Sequence, residues 1–269
     1  MTSPNVSPYV ARPLDGIAWI TGASSGIGRA LALRLAAEGW TVAVTARSAD
    51  QLAALETEAA GLAGQIRAFP GDVTDAALMA NHLAAMERTL GPVALAIANA
   101  GVYFPQDGLD GDPAQWKTTF DVNLSGTVNM LLPVISAMKE RRRGQIGVVA
   151  SVAGYRGLPT SAAYGATKAA LINMAEALKF DLDRAGIRIQ VINPGFVDTP
   201  ATADNPFPMP HLMTPEDAAS AISDGLKDPR AFEISFPKAF VRQLKLLRIL
   251  PYSWYFKLVA RSTGWDKKS

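Results

Sequence analysis

The sequence contains no cysteine and only two histidines, His82 and His211. Without thiols it can form neither a disulfide framework nor a thiolate nucleophile, which suits a reducing compartment. Two histidines leave almost no material for a clustered metal site or a Ser–His–Asp centre, and no Gly-x-Ser-x-Gly elbow is present. No uninterrupted apolar run approaches the roughly 18 residues of a spanning helix, so none is expected. The start of the chain carries Pro4, Pro8 and Pro13 without a long apolar stretch, which predicts a polar lead-in over 1–13 and not a signal peptide. Acidic residues are nearly missing from the C-terminus. From Phe236 onward, Lys238, Arg242, Lys245, Arg248, Lys257, Arg261, Lys267 and Lys268 face only Asp266, so that segment is net +7 and the rest of the chain net −5.

What is present reads as globular: 49% hydrophobic and 19% charged residues over 269 positions. Apolar, β-rich runs at 16–21, 40–46, 65–69, 93–98, 145–151, 187–193 and 232–236 alternate with helical stretches at 27–38, 49–60, 75–90, 113–138 and 161–184. Thr214 followed by Pro215 predicts the start of one more helix. Short apolar strands between amphipathic helices imply a parallel sheet covered on both faces, with right-handed crossovers. The expected fold is α/β: a single Rossmann-like, doubly wound parallel sheet, with ligands beyond the carboxyl ends of its strands. No internal linker divides the chain. Residues 1–236 are expected to form the dinucleotide-binding and catalytic domain, and 237–269 a basic amphipathic extension of it. Thr199–Pro215 is expected to be a long loop over the site.

Three motifs carry chemistry. The first, Thr21-Gly22-Ala23-Ser24-Ser25-Gly26-Ile27-Gly28, lies between a predicted strand and helix. Its glycines allow a sharp turn and close approach of a pyrophosphate, and the helix N-terminus offers unpaired N–H groups. The spacing differs from G-x-G-x-x-G, and three glycines at a turn are often only a turn. The second motif is the end of the second strand, Val44-Thr45-Ala46-Arg47-Ser48. NAD sites usually place an acid here, whereas an Arg accommodates a 2′-phosphate. Ala46 at the acidic position and Arg47 beside it favour NADP(H) over NAD(H). The third is Ser151 with Tyr164-Gly165-Ala166-Thr167-Lys168. Tyr164 and Lys168 share a helix face, and a nearby ammonium would favour the phenolate of a tyrosine whose ordinary pKa is about 10. Alone, Y-x-x-x-K is also a common packing pattern.

Taken together, these motifs make the chain resemble the short-chain dehydrogenase/reductase family, from about Gly16 to Phe236. Asp72-Val73 is similar to the family's adenine-side contact and Asn99-Ala100-Gly101 to its N-A-G element. Asn123 matches its helix asparagine and Asn193-Pro194-Gly195 its N-P-G turn, after which Val197 and Thr199 fall where the family holds the nicotinamide carboxamide. The resemblance implies that Tyr164 exchanges a proton with the substrate oxygen and that Lys168 lowers its pKa and binds the nicotinamide ribose. It implies further that Ser151 orients the carbonyl and that Asn123 holds a water leading to Lys168. Gly22, Ser24, Ser25, Gly26, Ile27, Gly28, Arg47, Asp72, Val73, Asn99, Ala100, Gly101, Tyr164, Lys168, Pro194, Gly195, Val197 and Thr199 are then the expected cofactor contacts. Ser25 stands where many NADP-using members carry a basic residue, so NADP selection rests on Arg47.

The expected activity is interconversion of a ketone and a secondary alcohol, on an apolar substrate. The alternatives are an NAD-linked alcohol dehydrogenase and an inactive nucleotide-binding regulator. Met209, His211, Leu212 and Met213 are expected to form an apolar cover, with Tyr103 and Tyr155 lining the pocket. The resemblance implies a homodimer or homotetramer built on the helices at 113–138 and 161–184. The helical pattern at 239–250, followed by Pro251-Tyr252-Ser253-Trp254-Tyr255-Phe256, suits either an anionic membrane surface or packing on the body of this or a partner subunit. The expected location is cytoplasmic, with or without membrane association.

Overall fold

The computed structural model describes residues 9–106, 108–203 and 209–267. Part of the lead-in, part of the 199–215 loop and the final lysine of the basic tail lie outside the described residues. In chain order, the first half runs β1 (Ile17–Thr21), α1 (Gly26–Ala37), β2 (Thr41–Thr45), α2 (Ala49–Glu58), β3 (Gln65–Ala68), α3 (Ala76–Thr89) and β4 (Val93–Ala98). The second half runs α4 (Pro113–Phe120), α5 (Gly126–Glu140), β5 (Gly144–Val149), α6 (Ala162–Arg184), β6 (Ile187–Pro194), α7 (Pro215–Lys227) and β7 (Glu233–Phe236). Two further helices follow, α8 (Lys238–Arg248) and α9 (Tyr252–Thr263).

The seven strands form one parallel sheet in the order β3-β2-β1-β4-β5-β6-β7. The order reverses between β1 and β4, which opens the crevice where this architecture binds ligands. Every residue of β1, β4, β5 and β6 is buried. That burial explains why these strands read as continuous apolar runs and not as alternating ones. The two-residue period still sorts them. Ile17 and Trp19 join the core against α3, α5 and α6, and Ala18 and Ile20 the core against α1, α2 and α7. The buried Trp19 indole donates to Thr45 Oγ1 at 3.0 Å, so the large ring enters the core without an unpaired polar atom. Thr214 caps α7 by accepting from Asp217 N, with Pro215 at the first position.

The stretch 113–138 is helical throughout, as expected, but not uniformly α-helical. A π-helical segment, Asp121–Ser125, interrupts it and separates α4 from α5. The cause is Asn123. Its Oδ1 accepts from Val102 N at 2.7 Å, its Nδ2 donates to Val102 O at 3.0 Å, and Thr127 Oγ1 donates to its carbonyl. Bonding the side chain to the backbone after β4 requires a widened turn, the usual setting of a π-bulge. The tail forms α8 over the expected helical pattern and a second helix, α9, after Pro251. Phe240 and Val241 of α8 and Tyr255 and Val259 of α9 are buried, and Phe240 and Val241 belong to the core on the α3, α5 and α6 face. Leu246, Ile249, Tyr252, Trp254, Phe256 and Leu258 remain exposed.

Candidate active site

A cavity of about 460 Å³ lies across the carboxyl ends of the strands at the order reversal. Its floor at one end is the β1–α1 turn. Gly22 and Gly26 adopt φ of +69° and +54°, which side-chain-bearing residues disfavour. A Cβ at Gly28 would stand 2.4 Å from both Gly22 O and Asn99 Nδ2. Asn99 is the tie that holds this turn, donating from Nδ2 to Thr21 O at 2.9 Å and to Gly22 O at 3.1 Å. Thr21 Oγ1 in turn accepts from the backbone N of Asn99 and of Ala100. The motif glycines and the Asn-Ala-Gly element are therefore one packed unit, with the α1 N-terminus facing the void. Ser24, Ser25, Gly26 and Ile27 line it together with Ala100 and Gly101.

Arg47, Ser48 and Gln51 line the same end. Arg47 is exposed and pairs with no carboxylate among the described residues. Asp72 and Val73 border it after β3. Asp72 Oδ1 accepts from Thr74 N and Oγ1, both at 2.9 Å, which fixes the turn. Opposite, Pro194, Gly195, Val197 and Thr199 line the cavity, and a Cβ at Gly26 would touch Thr199 Cγ2 at 2.9 Å. The chain after β6 thus folds back over the glycine turn.

At the other end Ser151, Tyr164 and Lys168 share the wall. Ser151 follows β5, starts the 3-10 turn Val152–Gly154 and accepts from Ala153 N. Helix α6 brings Tyr164 and Lys168 to one face, with Lys168 Nζ 5.5 Å from the Tyr164 ring centroid. Nζ donates to Val149 O at 2.8 Å. Burial pushes the Lys168 ammonium down to about 8. Burial also pushes the Tyr164 phenol up to about 12, against the lowering effect of its hydrogen bond with Ser151. In the protein alone, desolvation outweighs any acidifying effect of the lysine on the phenol. A hydroxyl, a protonated phenol and an ammonium around one void can hold a carbonyl oxygen and give it a proton.

The cavity gathers every residue expected at the site except Asn123, which stands one layer behind, fully buried, with Nδ2 donating also to Thr167 Oγ1. Of the expected substrate-side residues, Tyr103 lines the cavity, its ring 4.9 Å from that of Tyr164. Tyr155 does not. It turns away and donates its hydroxyl to Glu233 on β7, an acceptor two strands along the sheet from β5 that no local pattern reveals. Nor do Met209, His211, Leu212 and Met213 cover the cavity. Met213 bridges to Val197, and Leu212 is exposed. Among the described residues of the loop, Thr199, Pro200, Ala201 and Thr202 are on the wall. Val152, Leu158, Phe196 and Phe240 complete the apolar side. Sequence reasoning missed them as site residues because each looks like ordinary core.

Fold and site together define a dinucleotide-binding oxidoreductase. A family model described as short chain dehydrogenase matches residues 16–207. The chain belongs to that family. It is 38% identical over 234 residues to an uncharacterized oxidoreductase of Myxococcus xanthus, covering 87% of this chain and 92% of the relative. It is 31% identical to one of Staphylococcus epidermidis, covering 82% and 94%. Among solved structures it resembles an alcohol dehydrogenase from the archaeon Thermococcus sibiricus complexed with 5-hydroxy-NADP. That similarity has a TM-score of 0.75 at 27% identity, over 82% of this chain and 95% of that one.

Proposed function

We propose that the protein is an NADP(H)-dependent oxidoreductase that interconverts a ketone and a secondary alcohol on a hydrophobic substrate. The observation that carries this reading is one cavity with Ser151, Tyr164 and Lys168 at one end and, at the other, an Arg47 that pairs with no carboxylate among the described residues. The residues fit a dinucleotide: a turn whose glycines leave no room for side chains, a helix N-terminus, and an exposed guanidinium beside Ala46, which stands in place of an acid. Gly22 to Gly28 would hold the pyrophosphate, Arg47 the 2′-phosphate, Asp72 and Val73 the adenine side. Asn99, Ala100, Gly101, Lys168, Pro194, Gly195, Val197 and Thr199 would hold the ribose and nicotinamide. When bound, the cofactor supplies or accepts the hydride.

The chain's own residues do the rest. Ser151 hydrogen-bonds the carbonyl oxygen. Tyr164, protonated at neutral pH, delivers the proton to that oxygen in reduction. The Lys168 ammonium stabilises negative charge on the phenol as the proton leaves. Asn123 positions the Val102 backbone and Thr167, and through them the wall. The complete set of acid–base groups speaks against an inactive regulator. Tyr103, Val152, Leu158, Phe196 and Phe240 support an apolar substrate. The test is turnover of a ketone panel with NADPH and with NADH. Reduction of apolar ketones with NADPH preferred is expected; no turnover, or a preference for NADH, overturns the reading.

Two properties of the assembly belong to the same reading. Exposed Phe120, Leu132 and Phe180 on the helices at 113–140 and 162–184 support a homo-oligomer, for which light scattering should give a mass above the 28.5 kDa of one chain. The exposed Leu246, Ile249, Trp254 and Phe256, beside exposed Arg242, Arg248, Lys257 and Arg261, support peripheral contact with an anionic membrane. Co-sedimentation with anionic vesicles at low salt, lost at high salt and with neutral vesicles, is the expected result.

A further inference from the structure

The chain between Ser151 and Tyr164 forms the substrate side of the cavity, contributing Val152, Ala153, Leu158 and Ser161 to the wall. In its middle, Arg156 is turned outward. Its Nη1 donates to the carbonyls of Leu247 at 2.8 Å, Arg248 at 3.1 Å and Leu250 at 2.7 Å. Leu247 and Arg248 close α8 and Leu250 lies just beyond it, where last-turn carbonyls are short of helical N–H partners and the dipole favours a cation. The same guanidinium lies 3.9 Å from the ring centroid of Tyr255 and 4.6 Å from that of Tyr252, both on α9. Tyr255 also donates its hydroxyl to Gly157 O. One side chain thus closes the end of α8, stacks on α9 and sits in the loop that joins two residues of the site.

At its N-terminal end α8 reaches the cavity itself. Phe240 is on the wall, its ring centroid 5.4 Å from that of Phe196. A Cβ at Gly195 would lie 3.0 Å from Phe240 Cδ1. Midway, Lys245 pairs with Glu233, which also accepts from Tyr155 and, at 2.8 Å, from Asn193 Nδ2. The basic tail is therefore attached to the active-site loop at one end and supplies the cavity wall at the other.

We propose that Arg156 is a positioning residue that fastens the α8–α9 pair to the substrate-side loop, and that Phe240, held in place this way, is a specificity-determining wall for the apolar part of the substrate. The second half rests on the reading of the site as a ketone reductase for apolar substrates; the first does not. The test compares full-length wild type, Arg156→Ala, Arg156→Lys, Tyr255→Phe and Phe240→Leu. Three readouts are used: hydrogen exchange, NADPH affinity by fluorescence, and kcat and KM over ketones of increasing apolar bulk. Binding of the same ketones to the NADPH complex, followed by fluorescence, serves where turnover is absent.

Arg156→Ala should speed amide exchange across 238–263 at least tenfold and raise KM for the bulky ketones at least tenfold. NADPH affinity should stay within twofold and kcat should change less than KM. Arg156→Lys should recover part of the loss, because an ammonium can serve the carbonyls but cannot stack as a planar guanidinium does. Phe240→Leu should move the preference toward bulkier ketones. Unchanged exchange in Arg156→Ala overturns the fastening. Faster exchange with unchanged KM and ketone affinity overturns the link to the substrate. If Arg156→Ala fails to fold, Tyr255→Phe carries the same test in milder form, and normal exchange and KM there overturn the proposal. A wild type that neither reduces nor binds ketones would sink the reading of the reaction, while exchange still decides the fastening.

Discussion

At the β1–α1 turn the cavity wall is backbone. Gly22, Gly26 and Gly28 leave no space for side chains, and Asn99 ties the turn to the end of β4 with two hydrogen bonds. At the Ser151–Tyr164 end the wall is side chains gathered from distant parts of the chain: Tyr103 after β4, Leu158 before α6, Phe196 after β6 and Phe240 on α8. A backbone wall recognises what every dinucleotide shares, a pyrophosphate, and tolerates little change. A side-chain wall can be re-cut one residue at a time without disturbing the sheet. The difference separates the cofactor end, where a substitution should be severe or nucleotide-specific, from the substrate end, where it should alter choice.

Tyr164→Phe would break that comparison first, since it removes the proton donor and leaves both walls in place. The expected loss is at least ~10²-fold in turnover, with NADPH affinity retained; a folded variant with wild-type turnover excludes Tyr164 as the acid. Arg47→Ala sharpens the cofactor end. Hydrogen bonds to charged groups are worth about 1.5–3 kcal/mol, roughly a 10–100-fold effect, so NADPH should weaken by that factor while NADH barely changes. Equal weakening of the two would show that Arg47 does not read the phosphate. Asn123→Ala probes the layer behind the wall. Leaving the Val102 backbone without its two partners should cost about 1–3 kcal/mol in denaturant midpoint experiments, and an unchanged midpoint would remove Asn123 from the support of the site.

The smallest effect is in pH. Lys168 drops from 10.5 ordinarily to about 8 in the fold because burial disfavours the ammonium. Reduction should therefore be flat below that pH and fall above it as the cation is lost. Lys168→Arg should remove the fall, because a guanidinium stays charged. Between about 8 and 10.5 the unfolded chain holds a proton at this lysine that the folded protein does not. Its contribution to stability therefore rises with pH through that window and is lost as pH falls through 8. A pH–rate profile with no inflection near 8 would place the titrating group elsewhere.

The glycine turn at one end of the cavity and the Tyr164–Lys168 pair at the other were legible in the sequence because their constraints are local. A glycine at positive φ, a strand followed at once by a helix, and Tyr164 four residues before Lys168 each fix geometry within a few residues. The alternation of apolar runs and amphipathic helices determined a parallel sheet covered on both faces, since burying every strand on both sides has few other solutions. Tertiary structure alone decided the rest. Asn123 sits in a π-helical turn of a helix whose period looks uniform, and its side chain exchanges two hydrogen bonds with Val102, 21 residues back in the chain. Tyr155 leaves the cavity for Glu233, and Arg156, an ordinary surface arginine by sequence, meets three carbonyls and two rings contributed by the last helices. Local rules determine where a side chain starts. Which partner it reaches depends on what the packed sheet brings within about 3–4 Å, and that distance is set by contacts spanning the whole chain.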